Sequence, residues 1–442
     1  MSVPARIVIV GGGFAGVAAA RALRSLRKGE RAEITLVSRQ NFMLFTPMLP
    51  EAAVGSIELQ HIMQPLRAEL RVNGGTRRGS HFELGDAIGV DLERRTVSVR
   101  HPLTHDVRLI EYDELVLALG ATDSTMGVPG VERFTVPLKT IGDAEIVRSR
   151  VIGALEVTAK TNDLLERDRL SRFVVVGGNF TGVELAGELQ AFLHSILRYY
   201  PGIDPASVEV VVVESSDRLL GHLPEKFGKY AASVLRKRGT RLVLGREVNA
   251  VDPHGVELKD GERIESATVI WAAGVAPSPL AKQLGIKTNE HGAIETGGDF
   301  AVAGTPHVWA VGDCAAVPRP QGGTYAPLAQ NAIREGKLLA ANIRARLGGK
   351  PTKNFRYSEL GQMASLGHRN AVVELPGGRM LTGALAWFAW RTYYLGRLPG
   401  WNRRTRVALD WTLALAFPPE TARLPLVDKG ESSFEDIHAS SR

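Results

Sequence analysis

Arg6-Ile7-Val8-Ile9-Val10-Gly11-Gly12-Gly13-Phe14-Ala15-Gly16-Val17 is the stretch that decides the fold. An apolar, mostly β-branched run meets three glycines, and an Ala-rich stretch follows at once. The order predicts a buried strand, a tight turn and a helix. Gly11, Gly13 and Gly16 take the three glycine positions of the dinucleotide fingerprint. The first permits the turn, the second lets backbone approach a pyrophosphate, and the third lets helix and strand pack closely. The helix start at Phe14 and Ala15 then offers N–H groups and a positive dipole end to phosphate. The next strand, 34–37, ends in Ser38-Arg39 instead of the usual acid. The Ser38 hydroxyl can bond a ribose hydroxyl, and Arg39 can stack on adenine or meet phosphate. The plainer alternative for both is a surface turn.

The same unit recurs. Residues 173–176 run into Gly177-Gly178-Asn179-Phe180-Thr181-Gly182. Asn179 replaces the middle glycine, and asparagine tolerates unusual backbone angles better than most residues. The following strand, 208–213, ends in Glu214, an acid able to hold both ribose hydroxyls and repel a 2′-phosphate. NADH is therefore expected over NADPH, with Arg218 nearby blunting the preference. Glu184 sits just inside the second helix. It reads either as an early-turn acid favoured by the helix dipole or as a functional acid beside the nicotinamide.

Working outward, β-branched runs alternate with Ala/Leu-rich helical patterns, as in α/β folds with parallel strands. The fold class expected is two Rossmann-like dinucleotide-binding domains, the second inserted in the first, plus a C-terminal module with amphipathic helices. The expected boundaries are 1–123 with 275–350, 124–274, and 351–427, with a disordered tail at 428–442. Val308-Trp309-Ala310-Val311-Gly312-Asp313 closes the first site, because a strand ending in Gly-Asp aims an acid at the ribityl hydroxyls of FAD. Pro327-Leu328-Ala329-Gln330 opens a helix whose N-terminus suits the pyrimidine edge of a flavin, where negative charge grows on reduction.

Composition narrows the classes. The chain has 442 residues, 44% apolar and 23% charged, with net charge +7 and pI about 9.5, which fits a multi-domain globular protein. No basic run interleaved with aromatics is present, so nucleic acid is not expected as a partner. The single cysteine, Cys314, forms neither a redox pair nor a cysteine-based metal cluster, and no metal site is expected. No secretory signal fits before the strand at residue 6, and no apolar stretch is long enough to span a bilayer.

Together these residues resemble the pyridine-nucleotide flavoproteins and, among them, the type II NADH dehydrogenases, single-subunit NADH:quinone oxidoreductases. The likeness covers about residues 6–424. It rests on Asn41-Phe42-Met43-Leu44-Phe45-Thr46-Pro47-Met48-Leu49-Pro50, Gly182-Val183-Glu184-Leu185-Ala186-Gly187-Glu188-Leu189, Trp271-Ala272-Ala273-Gly274-Val275, Gly312-Asp313-Cys314-Ala315 and the segment 384–406. The resemblance implies FAD contacts at Gly13, Phe14, Ala15, Gly16, Val17, Ser38, Arg39, Thr46, Ala87, Asp313, Ala329 and Gln330. It implies NADH contacts at Gly178, Gly182, Glu184, Glu214 and Gly274. It places quinone beside Gln330 and Arg334, where Arg334 stands at the position of the family's usual second glutamine.

Trp387, Trp390 and Tyr394 recur at helical spacing with Arg391 and Arg397 close by, and Trp401, Arg403 and Arg404 follow. A helix of this composition can lie in the headgroup plane of an anionic bilayer. A stripe buried in the core or in a homodimer contact is the alternative. The expected activity is non-pumping transfer of a hydride from NADH to FAD and of two electrons to a membrane quinone, with Glu184 as the catalytic residue, positioning nicotinamide or quinone or stabilising a charge-transfer state. The expected location is peripheral, on the cytoplasmic side of the cell membrane. Two rivals remain: reduction of a ferredoxin- or rubredoxin-type protein, and NADH sensing without turnover.

Overall fold

The computed structural model describes residues 4–24, 32–72, 75–76, 80–358 and 361–423. The tail expected at 428–442 lies outside them. The chain forms two compact units. One comprises Met1–Leu44, Met63–Thr122 and Val275–Ser358, and the other Phe45–Ile62, Asp123–Gly274 and Glu359–Arg442. The segment expected as a C-terminal module therefore divides near residue 358, and its larger part shares a unit with the second fingerprint.

The first unit is built on a parallel sheet of five strands in the order Val308–Ala310, Glu114–Leu117, Ala5–Val10, Ala32–Ser38, Ser80–Leu84. Its central strand is apolar on both faces because both are covered. Ile7 and Ile9 join a core with the helices Phe14–Arg24 and Ala329–Leu347, while Val8 and Val10 join a second core containing Ala87, Val97 and Val99. Burying each such side chain contributes about 1.5–3 kcal/mol. Asp86–Asp91, Thr96–Arg100 and Val107–Glu111 form the antiparallel sheet that supplies the second core.

The second unit repeats the plan. Its parallel sheet runs Val136–Pro137, Thr268–Trp271, Arg172–Val176, Glu209–Glu214, Arg241–Leu244. Helix Phe180–Ile196 leaves the central strand and packs on the small antiparallel sheet Met363–Ser365, Ala371–Leu375, Arg379–Thr382. The hairpin in that sheet turns at Pro376-Gly377-Gly378, as its composition predicts. Helices Gly383–Arg397 and Trp401–Ala416 complete the unit.

Candidate active site

The two cradles share one geometry. Gly11 (φ +120°) and Gly177 (φ +115°) make the left-handed turns after their strands. A Cβ on Gly16 would collide with the Gly11 carbonyl oxygen, and one on Gly182 with that of Gly177. At Gly13 a Cβ would enter open space, with no atom within 4 Å. That is a clear approach to backbone, the property a pyrophosphate site needs.

Phe14, Ala15, Gly16 and Val17 form the first turn of the first helix, and the Ser38 hydroxyl faces Gly12. The Arg39 guanidinium is tethered to Asp86 at 2.6 Å. Ala87, next to Asp86, is buried opposite Val99. Asp313 lies in the short 3-10 turn Gly312–Cys314, and Ala329 and Gln330 begin the helix Ala329–Leu347. A cavity of about 150 Å³ in this unit is lined by Gly312, Asp313, Tyr325, Leu328, Asn331 and Glu335, among others. Asn331 donates its amide to Ala326 O at 3.0 Å, while its own buried Oδ1 has no hydrogen-bond partner. Such an orphaned acceptor is what a ligand donor satisfies. Thr46 belongs to the other compact unit.

Glu335 was not singled out in the sequence. It accepts the Gly312 N–H at 2.7 Å. Burial pushes its carboxyl up to about 7, the Gly312 N–H opposes the rise and the charge of Asp313 adds to it. The signal was available in the helical phase: Asn331, Glu335, Leu339 and Asn342 recur at spacings of three and four, and all are buried. On the same helix Arg334 lies with its guanidinium 4.1 Å from the Tyr357 ring centre and donates to Gln330 O at 2.8 Å. The Tyr357 hydroxyl donates to Gln330 Oε1 at 3.4 Å.

In the second unit the structure corrects the reading of Asn179. Its backbone is ordinary (φ −75°, ψ −173°). Its side chain caps the helix instead, accepting the Gly182 N–H at 3.1 Å and donating to Ala272 O at 2.7 Å. Glu214 is held by the N–H groups of Gly178 (2.5 Å) and Ser216 (2.7 Å). Gly274 (φ +76°) accepts from Ser124 N at 3.3 Å.

Glu184 is no surface acid of an early helical turn. It is buried, and its Oε1 accepts the Ser365 N–H at 2.9 Å and the Trp390 indole N–H at 3.2 Å. Burial pushes it up to about 8, those two donors pull it back, and the nearby acids Glu51 and Glu188 add to the rise. The membrane-face reading of Trp387, Trp390 and Arg391 is overturned by the same packing. Trp390 is 1% exposed and Trp387 4%. The Arg391 guanidinium is sandwiched between Trp387 (3.7 Å) and Trp411 (4.5 Å). Helical spacing defined the stripe, and the buried carboxylates turned it inward. Trp401, in contrast, is 79% exposed. Arg403 and Arg404 are half-buried, and Arg404 donates to Leu398 O and Gly396 O at the end of the preceding helix.

A model of the pyridine nucleotide-disulphide oxidoreductase family matches residues 5–336, and the NDH2 C-terminal domain matches residues 360–417. The type II NADH:quinone oxidoreductase Ndh of Mycobacterium tuberculosis is 33% identical over 420 residues, 92% of this chain and 87% of that protein. The chain belongs to the type II NADH:quinone oxidoreductase family. The mitochondrial internal alternative NAD(P)H-ubiquinone oxidoreductase A1 of Arabidopsis thaliana is 31% identical over 447 residues, covering 95% of this chain and 86% of that one. The fold is that of NDH2 from Plasmodium falciparum, solved in complex with NADH: TM-score 0.86 at 19% identity, covering 95% of this chain and all of that one. Cys314 is fully buried, and burial pushes its thiol up to about 12. Among the described residues, no helix is long and apolar enough to cross a membrane.

Proposed function

We propose that this chain is an FAD-dependent NADH:quinone oxidoreductase working at a membrane surface. The observation that carries the reading is the doubled cradle, one copy open at Gly13 and the other ending in a fixed Glu214, in a chain of the type II family. Bound FAD would supply the hydride-accepting and two-electron chemistry between NADH and quinone.

In this reading Gly11, Gly13, Phe14, Ala15, Gly16 and Val17 hold the FAD pyrophosphate. Ser38 and Arg39 take the adenosine end, with Thr46, Ala87 and Asp313 as further contacts. The helix beginning at Ala329 and Gln330 would present its positive end to the flavin. Gly178, Gly182, Glu214 and Gly274 hold NADH. Glu214, fixed by two backbone N–H groups, presents its charge to the adenosine ribose and disfavours a 2′-phosphate. Gln330 and Arg334 form the quinone side. The Tyr357 hydroxyl occupies the Gln330 oxygen, so the Gln330 amide N–H is the group offered to a quinone carbonyl. Glu184, carrying its proton near neutral pH, acts as the acid for a quinone oxygen.

The membrane contact moves to what is exposed: Trp401 with Leu385, Phe388, Leu409, Leu413 and Phe417, flanked by Arg403. This surface and a membrane-dissolved substrate support peripheral attachment, and the cytoplasmic side is the one we propose. Steady-state oxidation of NADH with short-chain ubiquinone and menaquinone analogues, with and without anionic vesicles, tests the reading. Turnover with quinone but not with a ferredoxin supports it. NADH binding without turnover on either quinone refutes it.

A further inference from the structure

Glu184 does not stand alone. Glu188 lies one turn further along the same helix and the same face, a spacing that puts Cβ atoms about 5–6 Å apart. Ser365 touches both acids: its N–H donates to Glu184 at 2.9 Å and its hydroxyl to Glu188 at 3.1 Å. Glu184 accepts the Trp390 indole N–H, and Glu188 lines a cavity of about 1080 Å³ within the same unit. The cavity is lined by Arg238, His194, His368, Trp387 and Arg391, among others. Four groups face Glu188 from the elements packed on it: Glu51 from helix Leu49–Ala53, Arg391 from Gly383–Arg397, Ser365 from its strand, and Arg238 after helix Glu225–Lys237. Glu51 is itself buried, held by the Trp411 indole at 2.9 Å and by Arg391 at 3.5 Å.

We propose that Glu188 is the proton-entry residue of the active site, passing to Glu184, its neighbour one helical turn away, the proton that quinone reduction takes from water. The inference rests on the reading of Glu184 as the acid of the quinone step. The balance is NADH + H⁺ + quinone → NAD⁺ + quinol. The electron pair leaves NADH as hydride, and the additional proton leaves the cavity water. It moves from Glu188 to Glu184 and ends on a quinol oxygen, and Glu188 is recharged from the cavity. Burial supports the assignment, because it pushes Glu188 up to about 8, with Glu51 adding to the rise and Arg391 opposing it. The acid is therefore protonated at neutral pH, the state a donor needs. Arg391 and Trp411 hold Glu51 and so keep the field around Glu188 fixed.

The test separates the two half-reactions of purified, FAD-loaded enzyme by stopped flow. Bleaching of the flavin by NADH is read first, then reoxidation by a short-chain quinone across a pH series and in D₂O. The variants are Glu188→Gln, Glu184→Gln and Ser365→Ala, each checked for folding by thermal melt. Glu188→Gln is expected to slow reoxidation about tenfold, to move the alkaline limb of its pH profile and to change its solvent isotope effect. Ser365→Ala should give a smaller change of the same kind. If Glu184→Gln slows reoxidation while Glu188→Gln keeps the wild-type rate, pH limb and isotope effect, the proton-entry role is wrong and the Glu184 reading survives. If Glu184→Gln also behaves as wild type, the reading of the quinone step itself fails.

Discussion

Glu184→Gln makes the cost of the buried acid measurable apart from turnover. The carboxyl moves from 4.5, its ordinary value, to about 8 in the folded chain, chiefly through burial. Below the lower value both folded and unfolded chains hold the proton, and the native state keeps its full stability. As pH rises between the two values, the unfolded chain releases a proton that the folded chain retains. Stability then falls by about 1.4 kcal/mol per pH unit and levels off above the folded-state value. Between about pH 5.5 and about pH 8.5 this one group costs about 3 kcal/mol. Glutamine keeps the shape, and its carbonyl oxygen still accepts from Ser365 N and Trp390 Nε1, yet it has nothing to ionise. Melting curves followed by tryptophan fluorescence at the two pH values should show wild type losing more stability than the variant. The difference is about 6–12 °C for a unit of this size. Parallel losses in the two proteins would mean that Glu184 is solvated or already charged in the native state, and the argument from burial would fall.

Three further outcomes follow from the geometry. Gly13→Ala places a methyl where nothing stands within 4 Å; the protein should fold with an unchanged far-UV spectrum but purify with little flavin absorbance, and full yellow colour would refute the cradle. Glu214→Gln removes the charge and one of the two acceptor oxygens that hold Gly178 N and Ser216 N; kcat/KM for NADPH should rise relative to NADH by about tenfold, and an unchanged ratio would show that the acid does not meet the ribose. The double variant Trp401→Ala, Phe417→Ala deletes two exposed rings, each worth about 1.5–3 kcal/mol when buried in lipid. Binding to anionic vesicles should weaken at least tenfold in flotation, with soluble-quinone turnover preserved.

What could be read from the chain, and what could not, divides by the distance over which the cause acts. Both cradles were legible because their requirements are local: a turn, an open backbone and a helix start fall within a few residues, and the glycines that satisfy them sit side by side. The positions of Glu214 and Ser38 were legible for the same reason, each ending the strand next to its cradle. Asn179 was half legible. Its place before a helix announces a cap as clearly as its place in a fingerprint announces a missing glycine, and the first property is the one its side chain uses. The burial of Glu51 and Glu188 was not legible, because nothing local marks it. Glu51 follows a proline, and its indole partner Trp411 is 360 residues away. Periodicity told that Trp387, Trp390 and Arg391 share one side of a helix, but an amphipathic face has the same spacing whether it meets lipid or core. The deciding term is whether carboxylates lie beneath it. Two indoles and a guanidinium supply donors, and Glu184 and Glu51 supply acceptors that burial would otherwise leave unpaired, so the face closes inward. The aromatic stripe and the perturbed acids are thus one feature: replacing Trp390 by phenylalanine should disturb the titration of Glu184 before it disturbs anything at the surface.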